Sequence, residues 1–279
     1  MSDPTLEIVP RSNGRVPPAA PLGGRTSGSR FGVERGVPLL DEDRALAAAA
    51  PAELASALGQ LLRIDVVKAE PGPWDPESVP IRPDAAMGLL LLEGFVTRRQ
   101  ELDDRSSAEL LGPGDLLRPW DWDGGDSVCV ATSVSWQVCE ATRVALLDQR
   151  AAAVIGRSPA LTAELMSRLV RRSRLLATLL ALTHIRQLKE RVRLVLWSLA
   201  ERWGRVTPDG VALAMPLTHA TIAQLAGASR PSVTSAVAEL QAEGAVSRLD
   251  NHGWLLTGEP PAGLDSSGLD EAAADRVAG

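Results

Sequence analysis

Arginine and hydroxyl side chains stand at helical spacing in the last third of the chain. Ser229, Arg230, Ser232 and Ser235 open a segment whose apolar residues recur every three or four positions. A helix with this pattern turns its apolar face inward and leaves those polar side chains outside. An arginine can donate two hydrogen bonds to a guanine edge, and hydroxyl groups can bond phosphate oxygens. The chemistry that these residue types offer is recognition of a nucleic acid.

Two short helices and a hairpin would position these side chains. Thr218 is a suitable cap for the first helix, and Gly227 ends it, because a tight turn favours a residue without a Cβ. Ser229 caps the second helix, which carries Pro231 in its first turn, where proline is tolerated. Two short strands come next, around a turn at 250–253 whose residues accept positive φ. The sequence predicts a helix-turn-helix with a β wing.

A winged arrangement of this kind, here over residues 217–257, typically binds double-stranded DNA with the N-terminal end of its second helix, so we expect double-stranded DNA as the ligand. Arg230 is the predicted base reader, and such a contact contributes roughly 1–3 kcal/mol of discrimination. Ser232 and Ser235 share the exposed face of that helix. The predicted phosphate contacts are Thr218, His219 and Ser229 from the helices, and Arg248, Asn251 and His252 from the wing. The alternative is a winged helix that binds another protein.

The distribution of charge matters more than the total of −6. Residues 206–258 carry two basic and four acidic side chains, so the predicted reader is not itself basic. Residues 157–205 carry eleven basic and three acidic side chains. Because a local basic face attracts phosphates, we expect Lys189 and Arg191, within the basic run Arg186 to Arg193, to bind the DNA backbone.

The rest of the chain divides by composition. Residues 1–37 and 259–279 have few large apolar residues and are predicted to be disordered tails. Residues 38–156 begin with short helices split at Pro51 and continue as short apolar runs between turn signals, which is typical of an all-β sandwich or roll. A long helix is predicted at 157–186, and the DNA-binding domain spans 187–258. The fold class is α+β.

The long helix carries a repeat with spacings of four and three. Its members are Leu165, Leu169, Arg172, Leu176, Leu179 and Thr183. Such spacing is typical of a coiled-coil seam between two copies of the chain, although Arg172 interrupts it. The alternative is a helix that packs on its own β domain.

Several of these segments resemble the Crp–Fnr superfamily of regulators. The run Leu217 to Gly244 is similar to the superfamily's C-terminal domain, and the helix that contains Arg171-Arg172 is similar to its dimerisation helix. The turns at 93–96 and 111–117 resemble those of its cyclic-nucleotide-binding β-roll. The resemblance implies a homodimer with a β-roll sensor, two winged helices that read a palindrome, and RNA polymerase as a partner.

The chain departs from the superfamily's nucleotide pocket at three places. Pro119 stands where the resemblance implies a glutamate for the ribose hydroxyl. No Arg or Lys lies between Asp121 and Glu140, so a cyclic phosphate would meet like charge there. Leu176 and Ala177 match the positions that offer hydroxyls to adenine. We therefore expect regulation that does not use cyclic AMP.

Another effector is conceivable, because tryptophans are concentrated in the β domain. Flat ligands stack on indole rings, although the same residues could form a core cluster. The candidate pocket comprises Trp120, Trp122, Trp136, Arg118 and Leu176, with Trp74 near it. Cys129 and Cys139 are interpreted as small buried hydrophobes, with a redox pair as the alternative.

No catalytic or metal-binding pattern accompanies these features. Residues 1–183 contain no histidine, which disfavours haem and a metal enzyme on the β domain, and no nucleophile–base pair is recognisable. No run of about 18 apolar residues or secretory signal occurs, so the expected location is the cytoplasm, without membrane contact. The sequence predicts a regulator that is not an enzyme and has no cofactor.

Overall fold

Antiparallel strands and three short helices build the N-terminal half of the protein. The computed structural model describes residues 32–102, 105–121, 133–249 and 253–261. The strands of this half are β1 Gly32–Pro38, β2 Arg63–Ala69, β3 Gly72–Trp74, β4 Gly88–Glu93, β5 Val96–Leu102, β6 Arg105–Leu111, β7 Leu116–Leu117, β8 Ser133–Val138 and β9 Thr142–Leu147. The first helices are α1 Leu39–Glu42, α2 Arg44–Ala49 and α3 Ala55–Leu61.

The nine strands form two sheets with a shared core. One sheet has the order β1-β2-β9-β4-β7 and the other the order β3-β8-β5-β6. All pairs are antiparallel, and Val96 faces Leu111 across β5 and β6. Val67, Leu89 and Val144 of the first sheet are fully buried in one cluster with Val96 and Leu111 of the second. The predicted β-roll is confirmed.

Strand β1 corrects the predicted N-terminal tail, since residues 32–37 are ordered rather than disordered. The strand pairs with β2, and an ion cluster fixes it there. The guanidinium of Arg143 on β9 bonds carboxylate oxygens of Glu34 at 3.0 Å, Glu42 at 2.6 Å and Glu93 at 3.1 Å. The Arg143 side chain thus links β1, α1 and β4. Composition alone could not predict these contacts, which hold residues 32–37 in place.

Other boundaries were predicted with mixed success. Pro51 separates α2 from α3, as expected. Strand β3, whose Trp74 pairs with Trp136, was not predicted. Helix α4, Gln149–Ile155, comes after β9 and was not predicted. Its N-cap, Asp148, accepts hydrogen bonds from the amides of Arg150 and Ala151.

Helix α5, Pro159–Leu182, turns one face to its own β-roll and the other to solvent. The inward face includes Leu161, Leu165, Arg168 and Leu179. The outward apolar stripe consists of Met166, Leu169, Val170, Leu176 and Leu180. The predicted seam is therefore wrong as a single face: Leu165 and Leu179 are buried in the subunit, and Leu169 and Leu176 are exposed. Arg172 also does not belong to the exposed stripe, because its guanidinium bonds Glu109 of β6 at 2.6 and 2.9 Å.

A winged helix-turn-helix completes the described chain. Its elements are α6 Leu188–Trp203, β10 Arg205–Thr207, β11 Gly210–Leu213, α7 His219–Ala226, α8 Arg230–Ala242, β12 Val246–Arg248 and β13 Trp254–Leu256. Gly227 ends α7 with φ 60°, in the left-handed conformation that favours glycine. The strands form one sheet in the order β10-β11-β13-β12. The predicted helices and wing are confirmed, whereas β10 and β11 were not predicted.

Candidate nucleic-acid interface

The N-terminal end of α8 presents polar side chains to solvent. Ser229 caps the helix, and its Oγ accepts a hydrogen bond from the Ser232 amide at 3.3 Å. Arg230, Ser232 and Ser235 are all exposed. Val233, Val237 and Leu240, on the opposite face, are buried in the core of the domain. The 3.6-residue period thus separates a packing face from a polar face, as the sequence predicted.

A shallow hollow of about 600 Å³ lies beside this end of the helix. Its polar lining comes from three elements: Arg230 of α8, Arg248 of β12, and Thr218 and His219 at the start of α7. Thr218 also caps α7, because its Oγ1 accepts a hydrogen bond from the Thr221 amide at 3.1 Å. The structure therefore brings four predicted contact residues together.

Trp254 of β13 organises that hollow, and sequence reasoning missed it. Its ring is fully buried, and its Nε1 donates a hydrogen bond to the Leu217 carbonyl at 3.0 Å. The Arg248 guanidinium lies 3.9 Å from the ring centroid, a cation–π contact. The His219 ring stacks on the indole at 5.8 Å, with 25° between the planes. One buried aromatic residue thus fixes two side chains of the hollow.

His219 is also bound to the recognition helix. Its Nδ1 lies 3.0 Å from Oγ1 of Thr234, and that hydroxyl donates to the carbonyl of Arg230 at 3.0 Å. Burial lowers the pKa of His219, and the positive charges of Arg248 and Arg230 lower it further. His219 is therefore neutral near pH 7. Thr234 was overlooked because its position next to Ser235 carries no distinguishing signal.

Two predicted phosphate contacts lie elsewhere. Lys189 pairs with Glu243 at 2.5 Å, at the C-terminal end of α8, and a helix of this length spans about 20 Å. Arg191 donates to the carbonyls of Ile185 and Ala226 at 2.7 to 3.0 Å. The structure therefore does not bring Lys189 or Arg191 to the hollow, because intramolecular acceptors hold both side chains. Asn251 and His252 lie outside the described residues.

The winged helix-turn-helix contacts the β-roll through the turn between β6 and β7. Asp115 in that turn is 1% exposed and accepts hydrogen bonds from the Gly112 amide at 2.9 Å and from Arg202 of α6. The next residue, Trp203, packs edge-to-face on Phe95 at 5.4 Å. A Cβ at Gly112 would lie 2.4 Å from the Phe95 ring, so the close packing requires glycine there.

A second buried ion cluster joins α5 to the β-roll. Glu109 of β6 is 5% exposed and bonds both Arg172 of α5 and Arg98 of β5, the latter at 2.9 Å. Arg172 also donates to the Leu116 carbonyl at 3.0 Å. Two cations around one buried carboxylate satisfy the need of buried charges for partners. Sequence reasoning missed this cluster because Glu109 and Arg172 are 63 residues apart.

The predicted effector pocket is only partly assembled. Trp120 and Trp136 pack on the core of the β-roll, and Trp136 contacts Trp74 edge-to-face at 6.2 Å. Arg118 lies over the Trp120 ring, although it also bonds Asp121 and the Ala86 carbonyl. Leu176 instead belongs to the outward stripe of α5. Trp122 and Cys129 lie outside the described residues, and burial raises the pKa of the Cys139 thiol.

Comparison with known proteins finds one matching domain family and several structures of similar fold. Residues 173–257 match the family model of the Crp-like helix-turn-helix domain. Structures of similar fold include a cyclic nucleotide-binding domain containing protein from Listeria monocytogenes (TM-score 0.54, 14% identity, 69% of this chain and 88% of that one). They also include a CooA mutant from Carboxydothermus hydrogenoformans (0.51, 15%, 82% and 94%) and FixK2 from Bradyrhizobium japonicum (0.51, 16%, 76% and 98%). Curated protein sequences give no significant match.

Residues 173–257 are thus a Crp-like helix-turn-helix domain. The chain as a whole shares its fold with the Listeria protein, the CooA mutant and FixK2. No helix in the described part of the chain is long and apolar enough to cross a membrane. The described residues also contain no group of three His, Cys, Asp or Glu side chains that could hold a metal ion.

Proposed function

We propose that the protein is a sequence-specific transcription regulator that acts as a homodimer on a two-fold symmetric DNA site, through a DNA-binding domain at 187–258. The observation that carries the proposal is the exposed end of α8, where Arg230, Ser232 and Ser235 stand next to a hollow lined by Arg248. RNA polymerase stays a predicted partner. In this proposal, the exposed polar face of α8 contacts the DNA bases, and the hollow binds the phosphate backbone of the DNA.

The test of sequence recognition is footprinting of genomic DNA with the purified protein. We expect protection of symmetric sites, with affinity that falls steeply as salt rises, because phosphate contacts release counterions. Arg230→Ala should relax sequence preference at one position of each half-site. The matched control is Arg205→Ala, an exposed arginine on β10, at the opposite sheet edge from β12. Unchanged preference in Arg230→Ala would show that another residue reads the bases.

The outward stripe of α5 supports the homodimer. Five apolar side chains, from Met166 to Leu180, lie 37–67% exposed along a helix of about 36 Å. A stripe of this kind on a long helix is typical of a face that another helix covers, and α5 of a second copy supplies the matching stripe.

The oligomeric state of two variants tests this assignment. Leu180→Glu should dissociate the dimer without unfolding the subunit, because Leu180 is 67% exposed. Ser167→Glu is the control, since Ser167 is also exposed but stands about 100° around the helix from Met166. Light scattering after size exclusion gives both masses. A native monomer, or a dimer that persists in Leu180→Glu, would contradict the assignment.

Independence from cyclic AMP is the second part of the proposal. Pro119 is buried in a short 3₁₀ turn and has no acceptor for a ribose hydroxyl. Arg118, the nearest cation in sequence, is bonded to Asp121 and to two backbone carbonyls. Calorimetry with cyclic AMP and cyclic GMP tests this expectation, and heat of binding at micromolar nucleotide would contradict it.

Gating by another small molecule is a second candidate function. The indole Nε1 atoms of Trp74 and Trp120 are buried and have no hydrogen-bond partner among the residues that the structure describes. Buried donors usually find an acceptor, so a flat ligand with acceptor atoms would satisfy them. Tryptophan fluorescence during titration with fractionated cell extract tests this candidate, with Trp120→Phe as the matched variant. A fluorescence response that Trp120→Phe retains in full would argue against a ligand at that indole.

A further inference from the structure

The hollow beside α8 has the lining of an anion site. Two guanidinium groups, from Arg230 and Arg248, border it, and Thr218 also lines it. Trp254 holds Arg248 in place before any ligand arrives, so little side-chain entropy remains to be lost on binding. We propose that this hollow holds one backbone phosphate of the DNA, and that His219 gains a proton when that phosphate enters.

The hydrogen bonds around His219 determine which nitrogen takes up the proton. Thr234 has one hydroxyl hydrogen, and it is donated to the Arg230 carbonyl. The Thr234 oxygen can therefore only accept from His219, so Nδ1 carries the hydrogen in the neutral ring. The other ring nitrogen, Nε2, is the unprotonated one. Protonation there creates a second donor on a residue that lines the hollow.

The charges around His219 explain why the proton arrives with the DNA. Within the described part of the chain, the charged groups that act on it are Arg230 of α8 and Arg248 of the wing. Its other neighbours, Trp254 of β13 and Thr234 of α8, are neutral. In the free protein, the positive charges of Arg230 and Arg248 disfavour a third positive charge on His219. A phosphate bound to Arg248 in the hollow would oppose this positive field and favour the protonated ring of His219.

The pH dependence of DNA affinity tests this inference, which rests on the proposed DNA-binding function. If one proton is taken up, affinity should rise about fivefold from pH 7.5 to pH 6.0 at constant salt. His219→Asn should bind with a nearly flat profile over that range, because an amide can still bond Thr234 but does not titrate. His184→Asn, at an exposed histidine after α5, should keep the native profile. Arg248→Gln should weaken all sequences alike and lower the salt slope by about one.

A direct measurement tracks the imidazole by NMR. The pKa of His219 should lie below 6.5 in the free protein and rise when a short specific duplex is added. Equal pH profiles for native protein and His219→Asn, or a pKa that the duplex leaves unchanged, would overturn this inference while DNA binding stands. Failure to bind any duplex would instead overturn the proposed function, and this inference with it.

Discussion

Arg202→Met removes the cation that partners Asp115 and keeps the length of the side chain. The carboxylate of Asp115 is 1% exposed, and among the residues that the structure describes only the Gly112 amide, at 2.9 Å, would still donate to it. Removal of one partner from a buried ion pair costs about 3–5 kcal/mol. Arg202 keeps 17% of its side-chain surface in solvent. We therefore expect the low end, a loss of about 3 kcal/mol in the free energy of unfolding.

Asp115→Asn should cost less than Arg202→Met. The amide removes the buried negative charge and keeps an oxygen that can still accept a hydrogen bond, so the expected loss is that of one hydrogen bond, about 1 kcal/mol. Burial already raises the pKa of Asp115, which means that the folded protein tolerates its charged form poorly. The double variant should be more stable than Arg202→Met alone, since no unpaired carboxylate remains.

Thermal unfolding at two pH values measures these differences. A loss of about 3 kcal/mol lowers the Tm of a chain of this size by about 6–12 °C at pH 7.5. Because the folded-state pKa of Asp115 lies above its unfolded value, folded protein binds more protons, and stability rises as pH falls toward that pKa. Arg202→Met should therefore recover part of its loss at pH 5.5, relative to native protein. Equal Tm values for the two single variants, or no recovery at low pH, would refute the reasoning.

Three further variants test packing and charge. Gly112→Ala should destabilise the protein by about 1–3 kcal/mol in urea unfolding, because its Cβ would overlap the Phe95 ring, and a loss below about 0.5 kcal/mol would contradict this. Lys189→Ala should leave DNA affinity unchanged in a gel-shift titration, since Lys189 pairs with Glu243 far from the hollow, and a uniform loss would restore the phosphate role expected from sequence. Arg143→Met should release β1, seen as faster amide hydrogen exchange there, while exchange in α8 stays native.

The winged helix was predictable because its signals are local. Thr218 and Ser229 cap helices by bonding amides three residues away, and Gly227 ends α7 by its own backbone conformation. Sequence periodicity also gives the polar face of α8 directly. The hollow was predictable only in part, since the contact of Arg248 with Trp254 depends on the pairing of β12 and β13.

The seam of α5 was mispredicted for a physical reason. Leucines occur on both faces of the helix, so spacings of three and four select a mixture of them. Leu165 and Leu179 belong to the buried face, and Leu169 and Leu176 to the exposed face. The inward face is fixed by partners distant in sequence, since Arg172 bonds Glu109 of β6 and Arg168 bonds Asp43.

The basic run from Arg186 to Arg193 shows that the sequence also does not reveal where charged side chains point. A count of basic residues gives the charge of a segment but not the direction of any side chain. Arg191 bonds carbonyls of Ile185 and Ala226, and Arg193 bonds Glu190 at 2.8 Å, so both side chains have acceptors within the protein. The cations of the hollow, Arg230 and Arg248, are instead the two basic residues of the segment that is negative overall.

The β6–β7 turn connects the β-roll with α8 through α6. In this turn Asp115 bonds Arg202, near the C-terminal end of α6, and α6 packs against α8 in one core. A shift of the turn would therefore act on α8 through α6, without any change at the DNA-contacting residues. Strand β6, which leads into this turn, also bonds α5, because its Glu109 pairs with Arg172. The turn and the α5 helix are therefore both attached to β6. A ligand or partner that moves β6 would thus affect the orientation of α8 and the α5 face together, which is the coupling that a regulated DNA-binding dimer requires.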